Sequence, residues 1–150
     1  DCPAGIEQGF QNAIAAASEA IVVTTPEISA VRDGDRVIGL LEANGIKRIR
    51  LLINRIKPGM VKANDMMSVQ DVEEILAIPL VGVVPDDEQV IVSTNKGEPL
   101  VLTETISPAV TAFNNIARRL EGEKVPFMEL DPAPPGFFAR LRRLLSSKIM

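Results

Sequence analysis

The sequence predicts an α/β fold in which a mostly parallel sheet is covered by helices on both faces. Three short apolar runs rich in β-branched residues are typical of strands buried on both faces: residues 20–25, 48–54 and 80–84. Segments with helical spacing of apolar residues precede, separate and follow these runs. Strands that alternate with helices predict parallel pairing through helical crossovers.

The helices are predicted from periodicity and from their end signals. Asn44-Gly45 is a typical C-terminal stop. Ser68 and Asp71 form a capping box, and Ser107-Pro108 supplies an N-cap followed by a proline in the first turn. The predicted helical segments are 6–19, 29–44, 72–77 and 108 to about 122.

Composition argues against several classes of site. The chain has 150 residues and 46% hydrophobic content, enough for the core of one domain. It contains no run of eighteen apolar residues, so no transmembrane span is predicted. Histidine is absent and Cys2 is the only cysteine, which argues against an internal disulfide, an ordinary zinc or haem site, and catalysis by Ser-His-Asp or Cys-His.

The distribution of charge separates the body of the chain from its end. With twelve basic against twenty acidic residues, residues 1–135 carry a net charge of −8, whereas residues 136–150 carry +4. An acidic body repels a phosphate backbone, and the five phenylalanines are the only aromatic residues, so no nucleic-acid partner is predicted.

Residues 136–150 are predicted to form an amphipathic, membrane-targeting helix. Helical winding places the apolar side chains on one stripe and the basic ones at its borders or opposite it. This pattern favours a helix lying in the interface of an anionic membrane, since the segment is too short and too charged to span a bilayer. A helix that packs on the body is the alternative. The residues are Phe137, Phe138, Arg140, Leu141, Arg142, Arg143, Leu144, Leu145, Lys148 and Ile149.

Residues 123–135 contain four prolines and are predicted to form an extended linker. The predicted organisation is therefore a body of residues 1–122, the linker, and the helix of residues 136–150. In parallel sheets ligands bind beyond the carboxyl ends of the strands, which here are residues 24–27, 54–57 and 84–87. Ordinary turns are the alternative for each loop.

Several segments resemble one family in order and spacing. Together they resemble the MinD septum-site-determining ATPases, in the ParA/MinD branch of the deviant P-loop NTPases. The segments are residues 1–7 (switch II), 24–36 (dimer and partner contacts), 52–55 and 83–87 (base-binding loops), 93–99 and 136–141. The resemblance covers the whole chain, but no segment matches the P-loop pattern G-x-x-x-x-G-K-S/T. The chain is therefore predicted to correspond to the C-terminal part of such a protein, an incomplete P-loop NTPase fold that does not hydrolyse ATP alone.

The resemblance implies ATP and Mg²⁺ as cofactors. Asp1 would hold Mg²⁺ through water and steer the attacking water, and Gly5 would let the backbone approach the γ-phosphate. Glu7 would meet the second subunit of an ATP-bound homodimer. The alternatives are a helix N-cap for Asp1 and first-turn dipole stabilisation for Glu7.

Two further sets of residues follow from the resemblance. The adenine base would be bound by Asn54, Arg55, Pro85, Asp86 and Asp87. A helical surface for MinC, shared with MinE where that partner exists, would comprise Arg32, Asp33, Asp35, Ile38 and Leu40, with an ordinary solvated helix face as the alternative.

The resemblance implies a peripheral membrane ATPase that positions the division septum and recruits the division inhibitor MinC. Such a protein is cytoplasmic and binds reversibly to the inner face of the cell membrane, or in a plastid occupies the stroma and inner envelope. The alternatives are a ParA-like DNA-partitioning ATPase, which the acidic body disfavours, an iron-protein electron carrier, which needs more cysteines, and a non-enzymatic membrane-binding fragment.

Overall fold

The computed structural model describes residues 8–130, and within them a three-stranded parallel sheet is covered by helices on both faces. The strands are β1 (Glu19–Thr24), β2 (Arg48–Ile56) and β3 (Leu80–Pro85), in the order β1-β2-β3. The helices are α1 (Gln8–Ile14), α2 (Ile28–Ala43), α3 (Pro58–Lys62), α4 (Val69–Leu76), α5 (Glu88–Lys96) and α6 (Pro108–Leu120), and Leu100–Leu102 forms a 3₁₀ turn. The predicted fold class is confirmed, with the C-terminal helix lying outside the described residues.

Both strand pairs are parallel, with α2 forming the first crossover and α3 and α4 the second. The predicted capping box of Ser68 and Asp71 is present at the start of α4. Two helices, α3 and α5, were not predicted from the sequence. Helix α3 has only five residues, too few to show a helical period, and α5 contains three consecutive β-branched residues, which favour a strand.

Each face of the sheet has its own hydrophobic core. The first core packs α1, α2 and α4 against β1 and β2, with Leu51 and Ile53 of the central strand completely buried. The second core packs α6 and the 3₁₀ turn against β3. Its buried members are Val81, Val84, Leu100, Ala109, Ala112 and Ile116.

The prediction that β1 is buried on both faces is wrong for the part of the chain described. Val22 and Thr24 are buried, but Ile21 is 42% and Val23 58% exposed. The reason is geometric. Strand β1 pairs only with β2, and α6 lies over β3 at the far side of the sheet, so no element within residues 8–130 covers the second face of β1.

Helix α6 approaches the sheet closely at Gly82. A Cβ atom on Gly82 would overlap Cγ1 of Ile116 and lie 2.6 Å from its Cδ1 atom. The pairing register between β2 and β3 also shifts here, since Leu51 pairs with Leu80 but Leu52 with Gly82. The missing side chain therefore creates the space into which Ile116 packs.

After α6 the chain turns back and lies against the helix. The Arg119 guanidinium donates hydrogen bonds to the carbonyls of Val81, Val125 and Pro126, at 3.0, 2.9 and 2.7 Å. It also lies 4.2 Å from the ring centroid of Phe127. Met128 packs on the second core. Residues 123–128, called here the return segment, are thus the part of the predicted linker that contacts the body.

Candidate functional site

An exposed ion-pair cluster connects the carboxyl end of β2, together with the residue after it, to the loop that follows β3. Asp86 Oδ1 lies 3.4 Å from Arg55 Nε, and its Oδ2 lies 3.2 Å from Lys57 Nζ. The Asp86 backbone N–H also donates to the carbonyl of Ile56 at 2.9 Å. The hydrogen bond from Lys57, supported by that from Arg55, lowers the pKa of Asp86 despite the opposing effect of partial burial. The two loops predicted to bind the base therefore contact each other directly.

Arg55 has a left-handed backbone, with φ of 59°. The side-chain oxygen of Asn54 accepts a hydrogen bond from the Arg55 N–H at 2.9 Å, which stabilises this turn. Because a carboxamide oxygen has two lone pairs, Asn54 retains one acceptor site together with its NH₂ donors. It can therefore support its own loop and still contact the edge of a base.

Asp87 has a structural role in the junction between two helices. Its carboxylate accepts hydrogen bonds from the backbone N–H of Gln89 at 2.9 Å, which caps α5, and from that of Ala109 at 3.3 Å, in the first turn of α6. Burial raises the pKa of Asp87, but the hydrogen bonds from Gln89, Ser107 and Ala109 outweigh it, and the net pKa is lowered. Pro85 is the buried last residue of β3. The loop of Asp86 and Asp87 is thus fixed by contacts with the end of β2, with α5 and with α6.

We expect Asp87→Ala to lower the free energy of unfolding by about 1–2 kcal/mol, since one carboxylate serves the N-termini of two helices. The matched control is Asp86→Ala, which removes only exposed ion pairs and should cost less than about 1 kcal/mol. Urea unfolding at pH 7 measures both. Equal losses for the two variants would show that Asp87 is not a cap of this strength.

Lowering the pH should remove the contribution of the Asp87 carboxylate to the free energy of unfolding. The pKa of Asp87 is lower in the folded protein, so its contribution is complete above the unfolded value of about 3.9 and is lost as the pH falls through the folded value. We therefore expect the difference in unfolding free energy between the intact chain and Asp87→Ala to shrink between pH 5 and pH 2. A difference that stays constant across this range would contradict the assignment.

A cavity of about 880 Å³ opens beside the ion-pair cluster. Its walls include the start of α2, with Arg32, and the end of β2 and the residue after it, with Arg55 and Lys57. Three methionines complete one side: Met60, Met66 and Met67. Sequence reasoning missed these methionines, and it included Lys57 in the predicted ligand loop of residues 54–57 without giving it a role. The available signal was their concentration in residues 57–67, because methionine is frequent at adaptable binding surfaces.

The predicted partner surface on α2 is only partly at the surface. Arg32, Asp33 and Asp35 are exposed. Ile38 is only 5% exposed and belongs to the first core, so its assignment to a contact surface is wrong. Leu40 is half-buried and packs against the same core. The helical period explains the error, because Ile38 lies one turn after Gly34 on the face that meets the sheet.

Several predicted residues lie outside residues 8–130: Asp1, Gly5, Glu7 and all ten membrane residues between Phe137 and Ile149. Within the described range, no group of three or more acidic or cysteine side chains is arranged to hold a metal ion. The helices of that range are likewise too short or too polar to cross a bilayer.

Comparison with known proteins identifies relatives along almost the whole chain. The septum site-determining protein MinD of Synechocystis sp. is 59% identical over 145 residues, which are 97% of this chain and 54% of that protein. The chain thus spans about half the length of the relatives it matches. No family model matches it.

Solved structures give the same result. The MinC:MinD cell division protein complex of Aquifex aeolicus contains a chain with a TM-score of 0.79 and 45% identity, covering 83% of this chain and 51% of that one. The septum site-determining protein MinD of Pyrococcus horikoshii, complexed with Mg-ADP, has a TM-score of 0.72 and 29% identity, covering 81% and 48%.

Proposed function

The chain belongs to the MinD family of septum site-determining proteins, and on that basis we propose that it acts in a peripheral membrane ATPase that positions the cell-division septum. In this proposal the protein is cytoplasmic, binds the inner face of the membrane as an ATP-bound dimer, and leaves it after hydrolysis. The similarity to the MinD of the MinC:MinD complex, in both sequence and fold, is the observation that carries it.

The nucleotide would bind at the edge formed by the carboxyl end of β2 and the loop after β3. Asn54 offers an acceptor and two donors to adenine, and the cluster of Arg55, Lys57 and Asp86 fixes the facing loop. The MinD of Pyrococcus horikoshii is complexed with Mg-ADP, which supports ATP and Mg²⁺ as cofactors. A bound Mg²⁺ would neutralise phosphate charge as it develops.

Phosphate binding requires groups that the described residues do not supply. By the resemblance of residues 1–7 to the switch II segment of the family, we assign Mg²⁺, held through water, to Asp1 and the γ-phosphate contact to the backbone at Gly5. The sequence contains no P-loop pattern, and the backbone N–H groups and lysine of that loop cradle the phosphates. We therefore propose that hydrolysis needs a P-loop beyond this sequence and that the chain by itself is inactive.

MinC is the proposed partner of the exposed part of α2. Arg32 borders the methionine-lined cavity, and Asp33 and Asp35 are exposed next to it along the helix. The cavity adds adaptable apolar surface to this charged face, which is suited to contact with another protein. We place Glu7 at the homodimer contact, and MinE on the same surface as MinC where that partner exists.

The C-terminal segment is the proposed membrane anchor. Its four basic residues contribute about 1 kcal/mol each near an anionic leaflet, and the apolar stripe adds about 25 cal/mol per Å² removed from water. Ordering the segment costs on the order of 1 kcal/mol per residue, so one copy binds weakly. Two copies on a dimer bind roughly 10²-fold more tightly through avidity, which makes dimerisation the membrane switch.

Co-sedimentation with anionic liposomes tests this anchor. We expect the intact chain to bind at least about tenfold more tightly than a chain truncated after Pro135, and the binding to weaken between low and moderate salt. Arg140→Glu/Arg143→Glu should behave like the truncation, whereas Arg118→Glu/Arg48→Glu, which reverses the same charge on the body, should not. If the segment fused to a dimeric carrier also stays in solution, membrane targeting is refuted.

A further inference from the structure

An apolar groove lies between α5 and α6. It has a volume of about 530 Å³ and is lined mainly by Val90, Pro99, Leu100, Val101 and Phe113. The chain that continues from it carries two apolar side chains almost entirely in solvent, Leu102 at 80% and Ile106 at 97% exposure. Single exposed apolar residues are ordinary, but an apolar groove whose lining segment continues directly into two such residues marks a surface that binds something. We call this the α5–α6 groove.

The charge around the groove is strongly acidic. Residues 86–107 contain five acidic residues and one basic residue, Lys96. Asp86 and Asp87 are engaged by the loop after β2 and by the helix N-termini. Glu98 lines the groove itself, and Glu88 and Glu104 are exposed nearby along the chain. A partner that fits this surface is apolar on one side and basic at its borders.

The chain contains one segment of that description, residues 136–150. It has six apolar residues with the spacing of a helical stripe, four basic residues and no acidic residue. Its charge of +4 opposes that of the groove region. Residues 43–64 are also basic and contain no acidic residue, but they form β2 and α3 and belong to the folded body.

The return segment brings the chain to the second core, which also forms part of the groove. Met128 packs against the second core, and Leu100, Val90 and Phe113 of the groove belong to or pack against that same core. Residues 129–136 can extend over about 26 Å, at about 3.3 Å per residue. A helix such as α6 is about 10 Å across. Residues 136–150 can therefore reach the groove from Met128.

We propose that residues 136–150 occupy the α5–α6 groove as an amphipathic helix when the protein is off the membrane. The same apolar stripe cannot face the groove and the lipid together, so docking competes with membrane binding. The apparent membrane affinity is then the intrinsic affinity multiplied by the fraction of protein in which the segment is free. The competition rests on the membrane anchor proposed above, whereas the docking does not.

The absence of tryptophan from the sequence allows a direct measurement. Phe138→Trp places a single indole in the segment, and its emission in the absence of lipid reports whether it is buried. We expect emission at a shorter wavelength, and slower quenching by acrylamide, than in the same chain carrying Leu102→Lys/Ile106→Lys. Leu102 and Ile106 follow the groove in the chain and are both exposed, so we expect these changes to leave the fold intact, which circular dichroism verifies.

A matched control separates the groove from general effects of charge. Ile28→Lys/Ile75→Lys adds the same two charges at two other exposed isoleucines, on α2 and α4, and should leave the emission of the indole unchanged. Glu98→Lys/Glu104→Lys provides a second test, because it reverses the complementary charge without removing an apolar contact. It should shift the emission in the same direction as Leu102→Lys/Ile106→Lys.

Membrane binding provides the second readout. We expect Leu102→Lys/Ile106→Lys to raise the affinity for anionic vesicles roughly tenfold, because it removes the competing site. Emission that is identical with and without the groove substitutions would overturn the proposal. A short-wavelength emission that disappears on dilution would also overturn it, by assigning the groove to a second copy of the chain. Vesicle binding absent from every variant, with the emission difference retained, would refute the membrane anchor and leave the docking standing.

Discussion

Replacing Gly82 by alanine is expected to lower the free energy of unfolding by about 3 kcal/mol, the upper part of the range for overpacking a core. The added Cβ would overlap Cγ1 of Ile116, and Cδ1 of the same side chain would be only 2.6 Å away. Ile116 sits in the middle of α6, and α6 is the helix that covers β3. To remove this overlap, either α6 must move away from the sheet or the side chain of Ile116 must leave the second core.

Three comparisons make this prediction specific. Ile116→Ala alone should cost about 2–5 kcal/mol through the cavity it leaves, but Gly82→Ala/Ile116→Ala should lose clearly less than the sum, because each change relieves the other. Gly39→Ala is the control, since nothing lies within 4 Å of its Cβ position on α2. It should stabilise the helix by about 0.5–1 kcal/mol. Denaturant unfolding measures all four variants, and additive losses at Gly82 and Ile116 would contradict the packing described.

Arg119→Ala is expected to release the return segment and to lower the free energy of unfolding by about 2–3 kcal/mol. One guanidinium donates to three backbone carbonyls and lies over the ring of Phe127, and hydrogen bonds from a charged group are the stronger kind. Burial lowers the pKa of Arg119, although an arginine stays protonated at any ordinary pH. Without the Arg119 guanidinium, the carbonyls of Val125 and Pro126 lose the hydrogen bonds that connect them to Val81 of β3.

Trypsin cleavage after Lys124 measures the release, with hydrogen exchange across residues 123–128 as a second measurement. Arg119→Lys should give an intermediate result, because an ammonium retains the charge but cannot direct three separated donors in the same way. Arg48→Ala is the matched control, since it also removes one exposed arginine, but the ion pair of Arg48 is with Glu19, at 3.0 Å, outside the return segment. Equal cleavage of the Arg48 and Arg119 variants would show that the return segment is not held by Arg119.

The sequence predicted those features that depend on neighbouring residues. Period and capping signals located all three strands and most helices, and the box of Ser68 and Asp71 formed as predicted. Ile38 was assigned to the wrong surface because a partner-binding pattern along α2 contains no information about which residues the sheet buries. The exposure of Val23 could not be predicted either, since an apolar run does not show how many layers cover it.

The sequence predicted where the candidate site lies but not all of the residues that form it. Parallel strands lead to the loops of Asn54 and Asp86, and the resemblance assigned them to the nucleotide. The contribution of Lys57 needed coordinates, because it joins Asp86 across a gap of 29 positions that no local pattern encodes. The role of Arg119 could not be predicted for the same reason, because one of its carbonyl partners, Val81, belongs to the distant strand β3.

The separation of the two cores along the chain has a consequence for synthesis. The buried residues of the first core all lie between Phe10 and Leu76, and those of the second between Val81 and Ile116. A nascent chain therefore has every buried side chain of one layer before the first residue of the other emerges. Nearby pairings close early and quickly, so we expect the α2–α4 layer to assemble on the ribosome and to serve as the template on which β3 and α6 are added.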